Sequence, residues 1–384
     1  MGLYIVIMLL WSDDMTTLLA IYKVILKIVY FFFKMFKTRK NRIIFLSRQD
    51  NKPSIDFIYL IDDINKRYPE YEIKILTRRL EKNNPKQIIR SLFDPFIQSF
   101  YLATSSICII DGYQIPVSCL HHKSDLKIIQ IWHSLGAIKM FGYQTLNTKY
   151  DQKMAELMCM HKNYNAIISP SSEMSKYFAK AFNNPIEKFV NIGLPRIDYL
   201  LKTAKQNRDT VYKRYPKLKN KKVILYAPTF RVYDEYKIAE LIEEFKNSTK
   251  WELIVKIHPR MKVHVSKKYT YDKVSSLEAL SVADYVITDY SAISLEASIL
   301  NKPVVLYTYD EEKYREYEGI NTDLDRDLPG YNFKDAKSLA KFIKSNKYDK
   351  KILKDYCDKY IRYKDGSVTR RLTDYIIGGK YEEN

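Results

Sequence analysis

Glycine is scarce, with ten residues in a chain of 384. Neither GxGxxG nor a Walker-type sequence occurs, so no Gly-rich loop is available to cradle a dinucleotide or a triphosphate. Cysteine is scarcer still. Cys108, Cys119, Cys159 and Cys357 lie far apart with no CxxC pair. This excludes a disulfide framework and suits the reduced, mostly buried thiols of a cytosolic protein. His121–His122 follows Cys119 without the partner spacing zinc needs. Asp323, Asp325 and Asp327 could attract a divalent ion but read better as a solvated loop before Pro329–Gly330, so no metal site and no cofactor are expected and metal dependence stays open. No short-period repeat, low-complexity tract, Ser-His-Asp order or nucleophile elbow is present. Acid is in deficit, with 45 Asp and Glu against 64 Lys and Arg, a net charge of +19. That balance points to an anionic partner: nucleic acid, a membrane surface or a phosphorylated substrate. The basic residues are spread along the chain rather than gathered in one arm, which argues against nucleic acid.

What is present suits two domains, by length and by a hydrophobic content of 46%. Residues 2–11 are apolar. Residues 17–37 then form an apolar stretch in which Lys23, Lys27, Lys34 and Lys37 fall on one side at the helical step of about 100° per residue. Four lysines are too many for a comfortable transmembrane span. The pattern suits a helix lying in the headgroup plane, with its lysines on lipid phosphates. The bland alternative is a helix packed on the protein's own core. The basic residues follow the apolar run and no small-residue cleavage site is visible, unlike a signal peptide.

From Asn41 onward, strands alternate with helix-length segments. Strands are expected at Arg42–Ser47, Glu72–Thr77, Ser106–Asp111, Leu126–Trp132, Ala166–Ser169 and Phe189–Ile192. Helical spacing covers Ser54–Arg67 and a piece around Pro85–Leu92. A polar, Lys-rich segment, Thr203–Lys222, marks a boundary. The pattern then restarts with Lys222–Ala227, Trp251–Ile257, Asp284–Thr288 and Val304–Tyr307, and ends in helices at Ala336–Lys344, Lys350–Tyr363 and Ser367–Ile377. This is an α/β reading with parallel, doubly wound sheets. The expected organisation is a membrane-associated helical segment (1–40), an N-terminal Rossmann-like domain (41–200) and a C-terminal Rossmann-like domain with a helical tail (201–384). Two such halves with a cleft between them fit the layout called GT-B.

Candidate chemistry sits at strand ends. His133 follows Trp132, with Gly136 for close backbone approach and Lys139 six residues on, which places a base near an anionic group. Gly193–Leu194–Pro195–Arg196–Ile197–Asp198 reads as mainly structural and cleft-shaping, with Arg196 and Asp198 free to pair. In Tyr226–Ala227–Pro228–Thr229–Phe230–Arg231, Pro ends the strand and turns Thr229 and Arg231 to the cleft mouth, where the Arg fork matches phosphate oxygens. In Lys256–Ile257–His258–Pro259–Arg260, strand alternation puts Lys256 and His258 on one face, as holding a diphosphate requires. Asp289, Tyr290, Ser291 and Ala292 form the sharp turn from a buried strand into a helix, a natural phosphate cradle at a strand's carboxyl end.

In this order, WHSLGAIKMFG, GLPRID, YAPTFR, KIHPR, ITDYSAISLEASILNKPVVLYTYD and Leu328–Pro329–Gly330 resemble the motifs of the CDP-glycerol glycerophosphotransferases over roughly residues 100–375. The form HSLGAIKMFG looks like that of the short teichoic-acid primases. The resemblance implies a GT-B fold, peripheral attachment to the cytoplasmic face of the cell membrane, and CDP-glycerol as donor. It maps the family's two motif histidines to His133 and His258, and its donor-phosphate residues to Arg231, Ser291 and their neighbours. The chain has Ala292 where the family often has a second Ser, and Glu296 where many members have Asp, so CDP-ribitol stays open. The expected reaction moves glycerol phosphate to a lipid-linked saccharide. His133 acts as base, and His258, Lys256 and Arg231, with Lys139, Thr229 and Arg260 beside them, meet the diphosphate. Asp289 orients the turn and Glu296 reaches the cytidine ribose. The anionic membrane is met through residues 17–40, no nucleic acid is expected, and self-association stays open. Alternatives are a polymerase of glycerol or ribitol phosphate, a glycosyltransferase using a nucleotide sugar, and a non-catalytic basic protein that binds membrane surfaces or nucleic acid.

Overall fold

The computed structural model describes residues 14–79 and 85–379; the apolar stretch 2–11 lies outside them. One sheet has six strands: β1 (Arg39–Ser47), β2 (Glu72–Thr77), β3 (Ser105–Ile110), β4 (Lys127–Gln130), β5 (Ala166–Ile168) and β6 (Phe189–Val190), in the order β2-β1-β3-β4-β5-β6. The other has five: β7 (Lys222–Tyr226), β8 (Trp251–Val255), β9 (Tyr285–Thr288), β10 (Val304–Tyr307) and β11 (Asn332–Phe333), in the order β11-β10-β9-β7-β8. Every pairing is parallel. Parallel strands are covered on both faces, so they read as unbroken apolar runs. Ile43–Leu46 and Val223–Tyr226 are wholly buried. Both sheets share one winding, in which the third strand adds beside the first. The order therefore reverses between β1 and β3, and again between β7 and β9. Crevices open at such points, outside the strands' carboxyl ends.

Six helices matter to the site: α1 (Asp14–Phe33), α2 (Ile55–Arg67), α3 (Pro85–Thr104), α4 (Arg196–Arg214), α5 (Ile293–Ile299) and α6 (Val368–Gly378). Ser54 caps α2 by accepting from the Phe57 amide, as a short hydroxyl at that position should. The polar segment expected to mark a boundary is no open linker; its first part completes α4 and a 3₁₀ turn at Pro216–Asn220 follows. The helical piece around Pro85–Leu92 runs on through Pro95 to Thr104. The last helix does not stay with the second sheet. α6 packs on α2, where Arg67 pairs with Asp374 at 2.6 Å, and Asp198 caps its first turn through the Val368 and Thr369 amides at 3.1 and 2.8 Å.

α1 packs against α3 through Tyr22–Phe96 and Phe33–Phe100, with ring centroids 5.8 and 5.5 Å apart. Leu26 and Tyr30 are buried, whereas Ile21, Val24, Ile25, Ile28, Phe31 and Phe32 face outward. Leu92, Phe93 and Ile97 of α3 are exposed too. Thr16–Phe33, of mean hydropathy 1.8, is long and apolar enough to cross a membrane by length and composition, and 11% of it is buried. The lysine side turns toward the body of the protein: the Lys23 ammonium donates to the Leu157 carbonyl at 2.5 Å and lies 3.2 Å from the Cys159 sulfur.

Candidate active site

His133 stands just past β4, after a residue in strained backbone. Trp132 has φ of 60°, a conformation a bulky side chain rarely adopts. Its ring is held between Phe141, stacked at 4.7 Å, and the His133 imidazole at 4.0 Å. The His133 Nδ1 lies 2.9 Å from the Asp111 carbonyl oxygen at the end of β3. A carbonyl only accepts, so Nδ1 carries the hydrogen and Nε2 keeps its lone pair. Burial pulls the His133 pKa down to about 4, so the ring is neutral and Nε2 is a free base at neutral pH.

The loop that follows His133 is tied to the other half of the molecule. Lys139 pairs with Ile320 in an antiparallel bridge. The Met140 amide donates to Gly319 at 3.0 Å and the Asn321 amide to Ile138 at 2.8 Å. The loop passes close to α5 at Gly136, where a Cβ would stand 2.6 Å from the Leu295 Cδ1 and displace that side chain. Lys139 is exposed, and its charge lowers the proton affinity of both His133 and His258. The two motif histidines therefore share one cationic field, although they come from different sheets.

Val255 is the last residue of β8, so Lys256 and His258 lie beyond it and strand alternation does not apply. This corrects their expected shared face. The Lys256 ammonium is tied to the carbonyls of Thr270 and Tyr271, the latter at 2.8 Å. His258 and Arg260 are exposed. The Arg260 amide donates to His258 Nδ1 at 3.2 Å. His258 therefore holds the opposite tautomer to His133: Nδ1 accepts and a neutral ring keeps its hydrogen on Nε2. Burial, then Lys139 and Arg260, lower its pKa.

The turn after β9 is built differently from the sequence expectation. Arg231 does not present its fork at a cleft mouth; its side chain is fully buried. Its guanidinium donates to Asp289 at 3.0 Å and to both oxygens of Asp310. The rings of Tyr236, Tyr290, Tyr309 and Tyr314 surround it at 4.8–5.8 Å. Burial opposes its charge, but Asp289 and Asp310 more than offset that and hold its pKa above the ordinary value. Thr229 is buried as well and donates from its amide and hydroxyl to Asp289. Tyr290 is buried with its hydroxyl on Asp310 at 3.1 Å. These four are the interior frame across the β7/β9 reversal. Ser291 and Ala292 are half-buried at the start of α5, and the Ser291 hydroxyl accepts from the Ile293 amide at 3.3 Å.

Glu296 is buried and engaged by Arg196 at 3.3 Å, not open to a ligand. Arg196 does not pair with Asp198; it also grips Asp56 of α2, with Nε 2.9 Å from the carboxylate. One guanidinium thus joins α2, α4 and α5. Sequence reasoning missed Asp111. Its carboxyl is 1% exposed, neither oxygen has a well-formed hydrogen bond, and burial pushes its pKa up to about 7, against weaker help from Ser47 and Arg196. Ser47 ends β1 and Asp111 directly follows β3, the strands flanking the first reversal. An acid closing the apolar run SICII was the available signal. Asp323 caps a short helix, and Asp327 accepts from Lys359 and Tyr360. Among the described residues no group of three or more His, Cys, Asp or Glu could hold a metal ion.

The family model described as CDP-glycerol:poly(glycerophosphate) glycerophosphotransferase matches residues 28–378. The chain is 31% identical over 314 residues to a teichoic acid glycerol-phosphate primase of Bacillus subtilis, covering 77% of this chain and 78% of that protein. It is 28% identical over 375 residues to a teichoic acid poly(ribitol-phosphate) polymerase of Bacillus spizizenii; there it covers 92% of this chain but spans only 59% of the relative's length. The wall teichoic acid polymerase TagF has a similar structure, with a TM-score of 0.69 at 19% identity over 95% of this chain and 96% of that one. That likeness extends to the fold.

Proposed function

Because the chain belongs to the CDP-glycerol:poly(glycerophosphate) glycerophosphotransferase family, we propose that it transfers glycerol phosphate from CDP-glycerol to a lipid-linked saccharide in teichoic acid or capsule synthesis, at the cytoplasmic face of the cell membrane. The acceptor hydroxyl oxygen attacks the β-phosphorus. The bond from that phosphorus to the bridging oxygen breaks, CMP leaves, and the acceptor proton passes to His133 Nε2. His258, Lys139 and Arg260 meet the charge that builds on the equatorial oxygens, the first as an N–H donor and the others as cations. Ser291 and Ala292 face the donor phosphate from the start of α5. Thr229, Arg231, Asp289 and Tyr290 hold that turn in place, Lys256 braces the loop under His258, and Glu296 holds the lobes through Arg196.

The observation that carries this reading is the pairing of a bare Nε2 on His133 with a protonated Nε2 on His258, within reach of one lysine's field. A base for the hydroxyl and a donor for the phosphate are what the transfer needs. The exposed apolar faces of α1 and α3 support membrane contact. Similarity to a polymerase acting with ribitol phosphate keeps that donor as the second reading. The test is incubation with CDP-glycerol, CDP-ribitol or UDP-sugars and a synthetic lipid-linked disaccharide, with mass spectrometry of the product. A mass increase of one glycerol phosphate with CMP release is expected. Chain growth identifies a polymerase, and UDP release alone defeats the reading.

A further inference from the structure

Between α1 and the body of the first sheet lies a cavity of about 410 Å3 that the reaction above does not use. Lys27, Phe31 and Lys34 line it from α1, and His121 and Lys162 from the facing loops. No carboxylate lines it. Lys34 reaches the His121 carbonyl at 3.2 Å. Lys27 and Lys162 are exposed, and among the described residues neither ammonium has an ion pair or hydrogen-bond partner. Lysines lining one cavity without a carboxylate make it attractive to an anion. Phe31, at the cavity rim, belongs also to the apolar face of α1 and is 63% exposed. The cation cluster therefore sits where the side of α1 that suits lipid meets the side that suits the protein.

We propose that this cavity binds the phosphate of a membrane lipid, held by Lys27 and Lys162. The inference rests on the membrane reading given above, and it adds a discrete site to what would otherwise be diffuse attraction. An ammonium binds phosphate as a point charge without needing a fixed fork. The lipid's acyl chain continues along the exposed side chains of α1. Two sources offer this chemistry: the headgroup of a bulk anionic phospholipid, and a phosphate in the lipid anchor of the proposed acceptor.

The test uses the full chain and short-chain lipids below their micelle concentration, which isolates a site from surface charge. Dihexanoylphosphatidylglycerol, dihexanoylphosphatidylcholine and farnesyl diphosphate are titrated calorimetrically. Saturable one-to-one binding of an anionic lipid is expected. Lys27→Ala with Lys162→Ala weakens it at least tenfold, whereas the charge-matched pair Lys341→Ala with Lys347→Ala, exposed residues outside the cavity and outside α1, changes it less than about twofold. Tighter binding of farnesyl diphosphate assigns the site to the acceptor's lipid anchor, and tighter binding of phosphatidylglycerol to the bilayer. Equal loss in both variant pairs, or no saturable binding, overturns the proposal. CMP release from CDP-glycerol with a soluble acceptor separates these outcomes from failure of the transferase reading, because neither variant pair touches that reaction.

Discussion

Burial treats three ionisable residues of the site in three ways, and each has its own measurable outcome. The carboxyl of Asp111, ordinarily at 3.8, is pushed up to about 7. Between those values the folded protein keeps a proton that the unfolded chain has released. Stability therefore falls as pH rises through this window, and the whole loss, about 4 kcal/mol, is present above pH 7. Asp111→Asn removes the titration at nearly constant shape. It should be clearly more stable than the parent at pH 8 and little different at pH 4, as read by urea unfolding; equal stability at pH 8 would refute the placement of Asp111. His133 shifts the other way, down to about 4. The unfolded chain gains a proton near pH 6.5 that the folded one refuses, so this group destabilises the fold progressively as pH drops below 6.5. For catalysis the same shift keeps Nε2 bare well into the acid range, which places the acid limb of kcat/KM below pH 6. His133→Ala should lower turnover by about 10²–10⁴ with melting behaviour retained. Arg231 stays charged because two carboxylates hold it. Arg231→Ala should act first on stability, costing about 3–5 kcal/mol, and a variant that melts like the parent but binds CDP-glycerol poorly would restore Arg231 to a ligand role.

At the scale of the element, what the sequence reveals depends on whether the signal is local. The strands show as apolar runs because both faces are covered, and Ser54 announces the start of α2 one residue ahead of the helix. Strand order leaves no local trace, so neither sheet's reversal was legible, nor was the meeting of Ser47 with Asp111. The alternation assigned to Lys256 and His258 fails because pairing with β7 ends at Val255. The burial of Arg231 depends on Asp310, 79 residues away. α1 was legible from its period, but its partner was not. Pro95 lacks an amide hydrogen and normally interrupts a helix, so α3 read as shorter than it is. Their pairing makes an apolar plate of two helices rather than one. Phe31→Glu with Phe93→Glu places a charge on each. Vesicle binding should fall at least tenfold, while turnover with a soluble acceptor is kept. If α1 alone held the membrane, Phe93→Glu by itself would leave vesicle binding unchanged, and flotation assays separate the two cases.

Across the whole molecule the two sheets must keep their strand ends facing for the histidines to act together, and Arg196 is an ionic link between them. Asp56, Arg196 and Glu296 join α2, α4 and α5 in one ion cluster. Two carboxylates share one guanidinium, and burial raises the Glu296 pKa even with Arg196 beside it. Removing the cation leaves those charges uncompensated, which costs about 3–5 kcal/mol for a buried pair. The sign with pH follows from Glu296. A carboxyl with a raised folded pKa is destabilising when ionised, so protonation relieves part of the loss. Arg196→Ala should therefore lose more stability at pH 8 than at pH 5, whereas a simple packing defect would be equal at both. The loop carrying His133 and Lys139 remains joined to Gly319–Asn321 in this variant. The lobes should thus loosen about that seam without separating, raising KM for the donor more than it lowers kcat. Melting at the two pH values, with small-angle scattering for the lobe arrangement, tests this directly. A pH-independent loss with unchanged KM would mean that Arg196 only fills space.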